Sequence, residues 1–183
     1  KRTDVGLVGG KNASLGEMVG TLSKAGIRVP PGFATSADAY RAYLKANNLN
    51  RIVAEAMEAF RAHRLTLHEA GSRMRAAITE GEWPADTRAE IAAAYAELCA
   101  RVGVRDLPVA VRSSATAEDL PDASFAGQQE TYLNVRGEAA LLAACRRCYA
   151  SLFTDRAISY REAKGFGHDE VALSVGVQQM VRS

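Results

Sequence analysis

A single arginine set among hydroxyl-bearing residues is the part of this sequence best suited to chemistry. Residues 109–131 open as a short apolar run typical of a β-strand, reach Arg112, and continue from Ser113 through small, hydroxylated and acidic residues. The segment closes around Gly127, just before a second β-like run that starts at Thr131. A guanidinium fixed beside serine, threonine and glycine suits an oxyanion, above all a phosphate. The segment therefore predicts a nucleotide-phosphate site, in which the hydroxyl of Ser113 could donate to a phosphate oxygen; the alternative is that it satisfies the backbone of its own turn.

A second candidate phosphate contact is Lys11, which follows Gly9-Gly10 at the start of a predicted helix. Free N–H groups and the positive dipole end of a helix favour an anion, and the lysine adds a full charge. The spacing is not that of a P-loop, whose glycines lie further apart and whose lysine is followed by Ser or Thr. A plain turn followed by a solvated lysine is the alternative.

Arg112 also has an alternative role. We expect its strand to be buried on at least one face, where a guanidinium must find acceptors. An ion pair with Glu118, Asp119 or Asp122 would satisfy it without any ligand. The same acidic cluster has the oxygen ligands that Mg²⁺ takes, but a solvent-facing loop explains it equally well.

The cysteines and histidines predict no metal site. Cys145 and Cys148 have C-x-x-C spacing but fall inside a helical pattern, so we expect them to pack in the core. His63 and His68 are expected at the surface. His168 is expected in a loop, where it could titrate near neutrality.

Composition narrows the class of protein. Of 183 residues, 48% are hydrophobic and 24% are charged, with a net charge of +2, as in ordinary globular domains. Near-neutral charge disfavours a nucleic-acid partner. No apolar run approaches the roughly 18–20 residues of a membrane span. With three cysteines and no visible secretory leader, we expect reduced thiols and a cytoplasmic protein without a membrane partner.

Hydrophobic periodicity predicts an α+β or α/β protein with few strands and helices in the majority. We expect the α+β class, with a small mixed or antiparallel sheet. A strand-like lead over residues 4–8 is followed by a helix over 13–24, with Ser14 and Glu17 at capping-box spacing. Ser36 is predicted to cap the next helix, which extends to Leu44 with Tyr40, Tyr43 and Leu44 facing inward. Ile52, Ala56 and Phe60 are predicted to share the apolar face of the helix after it. The further predictions are helices within 50–102, over 137–153 and over 156–164, and strands at 33–35, 109–112, 131–135 and 171–177.

Three segments, residues 4–18, 31–35 and 109–131, together resemble the nucleotide-binding domain shared by phosphoenolpyruvate synthase, pyruvate phosphate dikinase and rifampin phosphotransferase. The likeness extends to the final Val177-Gln-Gln-Met-Val181. Asn12-Ala-Ser14 after the lysine favours the synthase, since the relatives more often have Gly-Ala-Asn there.

The resemblance implies that residues 1–183 form the first lobe of an ATP-grasp-type domain. Lys11 and Arg112 match the catalytic lysine and arginine that contact the phosphates. Gly127 and Thr131 match the loop that covers the phosphates, and Gln178 matches a nucleotide-contacting glutamine. Gln179 departs from the basic residue usual at its position, with no expected effect on chemistry.

The resemblance also implies parts beyond residue 183. The synthases of this family convert ATP, pyruvate and water into phosphoenolpyruvate, AMP and phosphate through a phosphohistidine on another domain, and pyruvate binds to a further domain. Their Mg²⁺ ligands lie in the second lobe. We therefore expect a fragment of a longer enzyme that binds ATP weakly and is inactive alone; the full-length protein could form a homodimer. The alternatives are a rifampin phosphotransferase, a pyruvate phosphate dikinase or a stand-alone nucleotide-binding module.

Overall fold

One antiparallel sheet and a larger set of helices make up the described part of the chain. A computed structural model describes residues 5–24, 29–115, 130–168 and 171–181. The helices are α1 (Val5–Lys24), α2 (Ala37–Ala46), α3 (Leu49–Arg61), α4 (Leu67–Glu80), α5 (Ala85–Val102), α6 (Glu138–Ala150) and α7 (Asp155–Lys164). The strands are β1 (Gly32–Ala34), β2 (Val109–Ala115), β3 (Thr131–Val135) and β4 (Leu173–Gln179). The predicted helix-rich α+β class with a small antiparallel sheet is confirmed.

The last strand in the chain lies inside the sheet. The strand order is β1-β4-β2-β3, and each neighbouring pair is antiparallel. One row across the four strands consists of Ala34, Gly176, Arg112 and Thr131. Because directly paired residues project to the same side and successive residues alternate, this row defines one face of the sheet.

The opposite face is apolar and packs on helices. Val111 pairs with Val177 on β4 and with Tyr132 on β3, and the two valines are fully buried. The guanidinium of Arg147, on α6, lies 4.3 Å from the centre of the Tyr132 ring, which places α6 on this side. Helix α6 also contacts β4. The hydrophobic core therefore lies between this face and the layer formed by α2 to α7.

Side-chain caps fix where several helices begin. Ser36 accepts a hydrogen bond from the N–H of Ala39, as predicted, and starts α2. Thr66 and Glu69 form a full capping box at α4. Such caps satisfy N–H groups that have no partner inside a helix. The predicted inward residues of α2, Tyr40, Tyr43 and Leu44, are all buried.

The start of the chain differs from prediction. Residues 5–8 are helical, so the predicted strand-like lead is wrong, and α1 begins at Val5 rather than Ala13. Ser14 consequently lies inside the helix and does not cap it. Gly9 interrupts α1 with a φ of 73° and a ψ of 160°, so a second helical segment starts at Gly10. The helix start predicted before Lys11 is therefore present, but a glycine break creates it.

Smaller differences follow from packing. In α3 the buried face is formed by Leu49, Val53, Ala56 and Met57, so Ile52 and Phe60, which were predicted to share it, lie at its margin. Strand β4 begins two residues later than predicted. Among the described residues, no helix is long and apolar enough to cross a bilayer.

Helix α6 carries the two closely spaced cysteines into the core, as predicted. Cys145 and Cys148 are both fully buried. Burial raises the pKa of Cys145 to about 12, so its thiol stays protonated at neutral pH. Beside them the rings of Tyr43, Tyr149 and Trp83 pack with centroids 4.8 to 5.7 Å apart. These rings fill the centre of the helical layer.

His168 lies in a turn, as predicted, and is held in a partly buried network of hydrogen bonds. Its Nδ1 accepts a hydrogen bond of 2.9 Å from Nε of Arg161, which is 1% exposed. Its Nε2 lies 2.9 Å from Glu162, which also pairs with Arg61 at 2.7 Å. This arrangement suits a neutral imidazole with its proton on Nε2. Burial, followed by the charge of Arg161, lowers the pKa of His168 from 6.5, away from the neutral range predicted for it.

The break at Gly9 can be tested with a matched glycine. Gly137 has almost the same backbone angles, 78° and 158° against 73° and 160° for Gly9. A Cβ at Gly137 meets nothing closer than 3.7 Å, whereas one at Gly9 would lie 2.6 Å from the Ser114 carbonyl oxygen. Both alanine variants should lose about 1–3 kcal/mol of unfolding free energy from strain. Gly9→Ala should lose roughly another 1–3 kcal/mol from the clash. Equal losses in urea denaturation would disprove the close approach.

The network around His168 predicts a pH dependence of stability. Since the folded state lowers its pKa, the unfolded chain binds the proton more tightly, and stability falls as pH drops below 6.5. Urea denaturation from about pH 7 to about pH 5 should show this fall, and His168→Gln should be less stable at pH 7 but flatter across the range. The hydrogen bond from Arg61 lowers the pKa of Glu162, so protonation of Glu162 reduces stability only at more acid pH. His63→Asn, at an exposed histidine, is the control and should keep the slope of the unsubstituted protein; an unchanged slope in His168→Gln would contradict the prediction.

Candidate functional site

The face of the sheet that carries Arg112 is polar and lined with small residues. Gly176 and Ala34 lie in the same row as the arginine, and the neighbouring row consists of Gly32, Gln178 and Ala110. Arg112 is exposed, although the three residues on either side of it in β2 are all buried. Because the residues around the guanidinium are glycine and alanine, another element or a ligand has space to approach the backbone of the sheet here.

Helix α1 covers one end of this face. Nδ2 of Asn12 donates a 2.6 Å hydrogen bond to Oγ of Ser174, and that hydroxyl donates to the carbonyl oxygen of Val8. A Cβ at Gly176 would collide with the Asn12 side chain, and one at Gly9 would collide with Ser114. The helix therefore sits against β2 and β4 at a distance that only glycines permit.

This docking brings the two predicted phosphate ligands to the same side of the sheet. Asn12 lies against Gly176, which pairs directly with Arg112, and Lys11 is the residue before Asn12. Lys11 is exposed, and it follows the break that starts the second segment of α1. Lys11, Arg112 and a helix start thus lie on the same side of the sheet, which is a favourable environment for an anion. That they bind phosphate stays a prediction.

Thr131 and Gln178 lie on this face as well. Thr131 pairs with Arg112 across β2 and β3, so their side chains project to the same side. Gln178 lies two residues from Gly176 on β4 and is half-buried, with its Nε2 donating to the Pro30 carbonyl oxygen at 3.2 Å. The structure therefore places Lys11, Arg112, Thr131 and Gln178 on the same side of the sheet. Lys11 and Gln178 are more than 160 positions apart in the sequence.

Ser113 does not lie with the others. It pairs with Val175 on the apolar side of the sheet, is 1% exposed, and its Oγ accepts a 3.1 Å hydrogen bond from the N–H of Glu130. The backbone N–H of Ser113 in turn donates to the Glu130 carbonyl oxygen at 3.2 Å. This geometry gives Ser113 a clear structural role, joining the two ends of the segment between Ala115 and Glu130. Its predicted contact with phosphate gains no support here.

Several predicted residues lie outside the described part of the chain. They are Gly127 and the acidic residues Glu118, Asp119 and Asp122, all within residues 116–129. Arg112 lies in the middle of β2 rather than at its end; the strand is buried as expected, but the side chain of Arg112 itself is exposed. An exposed guanidinium does not require an internal ion pair, and the carboxylates considered for one, Glu118, Asp119 and Asp122, lie outside the described residues.

Sequence reasoning missed the residues that dock α1. Ser174 and Gly176 are small residues at alternate positions of an otherwise apolar strand, a pattern that indicates close approach of a second backbone. Ser114 belongs to the same set: it is 1% exposed, and its hydroxyl has no hydrogen-bond partner among the described residues. The spacing of these three residues was the available signal.

The residues on this face can bind and neutralise an anion but bring no metal-binding group with them. Within residues 5–24, 29–115, 130–168 and 171–181, no cluster of three or more His, Cys, Asp or Glu side chains could hold a metal ion. Fixed positive groups that need no rearrangement stabilise charge that develops on transferring phosphates. The chemistry that fits the site is therefore electrostatic.

Comparisons with known proteins show which family the chain is similar to. Residues 5–183 match the family model described as pyruvate phosphate dikinase, AMP/ATP-binding domain. The chain is 53% identical over its whole length to a phosphoenolpyruvate synthase of Neisseria meningitidis serogroup B and 51% identical over 98% of its length to that of Escherichia coli K12. A probable phosphoenolpyruvate synthase of Methanocaldococcus jannaschii is 47% identical over 98% of the chain. The chain covers 23%, 23% and 15% of these relatives respectively.

The family model covers nearly the whole sequence, including α1, the four strands of the sheet and the residues of the polar face. The resemblance first noticed in three short segments therefore extends over all the described elements. The chain belongs to the family of the pyruvate phosphate dikinase AMP/ATP-binding domain.

Proposed function

We propose that this chain binds the phosphates of ATP on the polar face of its sheet, as the first lobe of an ATP-grasp-type domain in a phosphoenolpyruvate synthase. The observation that carries the proposal is the docking of α1, which places Lys11 on the same face as Arg112. The name of the family model, which specifies AMP and ATP, supports the ligand. The names of the relatives support the enzyme, since they are about half identical to the chain.

In this proposal Lys11 and Arg112 are the catalytic residues of the lobe. Their charges neutralise the triphosphate in the ground state and the extra charge that forms as a phosphoryl group departs. Thr131 donates its hydroxyl to a phosphate oxygen, and Gln178 orients the nucleotide near the β1 edge. Gly127, in the segment joined by Ser113 and Glu130, allows that segment to approach the phosphates closely.

The proposal assigns Mg²⁺ to the nucleotide rather than to this lobe. Oxygen ligands from carboxylates and phosphates are what Mg²⁺ takes in such sites. In the described residues, no metal-binding cluster accompanies the polar face. The protein ligands of the ion would then come from another part of a longer protein.

The remaining steps of the proposed reaction need other domains. A histidine elsewhere accepts the β-phosphoryl group of ATP and passes it to pyruvate, water takes the γ-phosphate, and the products are phosphoenolpyruvate, AMP and phosphate. The relatives are more than four times as long as their match to this chain, which leaves room for such domains. We place the reaction in the cytoplasm.

Substitution of the two cationic residues tests the site. In the full-length protein, Lys11→Met and Arg112→Met should each slow the transfer of labelled phosphate from ATP to the enzyme by about 10²–10³-fold, or about 2.7–4 kcal/mol of barrier. The partial reaction with pyruvate should be unaffected. Lys45→Met and Arg105→Met remove exposed charges elsewhere and should behave as the unsubstituted protein. Labelling at the unsubstituted rate in Lys11→Met or Arg112→Met would refute the assignment.

The 183-residue chain by itself should bind Mg-ATP weakly and hydrolyse none of it. Phosphoryl transfer depends on groups positioned on both sides of the phosphates, and this lobe supplies one side. Isothermal titration calorimetry should give a dissociation constant well above micromolar, weakened further by Arg112→Met. A sub-micromolar constant would show that the chain holds a complete site.

A further inference from the structure

A basic cavity lies on the helical side of the sheet, opposite the face that α1 covers. It has a volume of about 740 Å³ and is formed where the end of α4 and the helix α6 meet the edge strand β3. This volume is within the range of roughly 300–1,000 Å³ typical of small-molecule sites. The stacking of Arg147 on Tyr132 places the cavity on the helical side of the sheet, whereas Arg112 projects to the opposite side.

Three arginines line this cavity, namely Arg136, Arg146 and Arg147, and no acidic side chain lines it. None of the three takes part in an ion pair with a carboxylate among the described residues. Three like charges around one concavity repel each other, and an anion would relieve the repulsion. The protein itself supplies no such charge within the described part of the chain.

Arg146 and Arg147 are held in place by contacts with the rest of the protein. Nη1 of Arg146 donates to the Gly81 carbonyl oxygen at 2.9 Å, while its Nε is buried with no hydrogen-bond partner among the described residues. The guanidinium carbon of Arg147 lies over the Tyr132 ring, 4.3 Å from its centre, in a cation–π contact. A fixed, planar guanidinium loses little freedom on binding and presents paired N–H groups that match carboxylate and phosphate oxygens.

A bulge in β3 shapes the wall opposite α6. Val109 pairs with Val135 and Val111 with Tyr132, so β3 has one more residue than β2 between these pairs. The extra residue is accommodated by Asn134 at a φ of 56°. Bulges turn side chains away from the regular alternation of a strand. Here the bulge contributes the amide of Asn134 and the 57% exposed Leu133 to the cavity.

We propose that this cavity binds a small polyvalent oxyanion, a phosphorylated or polycarboxylate compound with a short apolar part. The three guanidinium groups bind its charged oxygens, and Leu133 and the alanines of α6 contact its carbon atoms. The site is separate from the polar face and requires neither ATP nor the proposed synthase activity.

Nuclear magnetic resonance titration of the 183-residue chain tests the proposal, with pyrophosphate and citrate as probes. The background variant Arg112→Gln removes the arginine of the ATP face, so that binding there does not interfere. We expect saturable shifts of the backbone amide signals of residues 133–136 and 143–147. A response to pyrophosphate alone identifies a phosphorylated ligand, and a response to citrate alone identifies a carboxylate.

Two charge-matched variants complete the test. Adding Arg136→Gln and Arg147→Gln should weaken binding by about tenfold or more, because two charge-assisted contacts are lost. Adding Arg105→Gln and Arg156→Gln, at exposed arginines outside the cavity, should leave it unchanged. The proposal is overturned by shifts that do not saturate, by equal effects of the two pairs, or by a hexaglutamate peptide that binds where neither small anion does.

Discussion

The close approach of α1 to the sheet is the constraint on which the candidate site depends. Gly9 and Gly176 allow it, because a side chain at either position would occupy the space of Ser114 or Asn12. Two hydrogen bonds through Ser174 then fix the helix to β4. These contacts fix the backbone on either side of Lys11, between Gly9 and Asn12. The site is thus positioned by residues that carry no charge.

The sheet divides its two faces between stability and binding. On one side Val111, Val175 and Val177 are fully buried against the helices and contribute to the core. On the other side glycine and alanine replace large side chains, so this face buries less apolar surface and contributes less to folding. β4 is paired along its whole length with β2 and over Gly176–Gln178 with β1, which holds the polar face in place. The strand that carries Gln178 is therefore central, although it comes last in the chain.

Local patterns predicted the helical layer well and the site only in part. Ser36, the inward face of α2 and the packing of Cys145 follow from capping, periodicity and burial, which are local properties of the sequence. The pattern of residues 4–8 does not predict the start of α1, because Gly9 breaks the helix in close contact with a strand over a hundred residues away. Ser113 and Arg112 are neighbours, and both are predicted phosphate contacts. Strand alternation sends them to opposite faces, and only the pairing register decides which face carries the ligand.

The position of the single tryptophan determines what an optical signal from this protein reports. Trp83 packs among Tyr43 and Tyr149 within the helical layer, and α6, which carries Tyr149, lies against the face of the sheet opposite to Arg112. The emission of Trp83 therefore monitors whether the aromatic cluster is intact and is a suitable probe of cooperative melting. Ligand binding on the polar face would leave that emission almost unaltered. An intrinsic fluorescence assay would therefore report unfolding but not nucleotide binding.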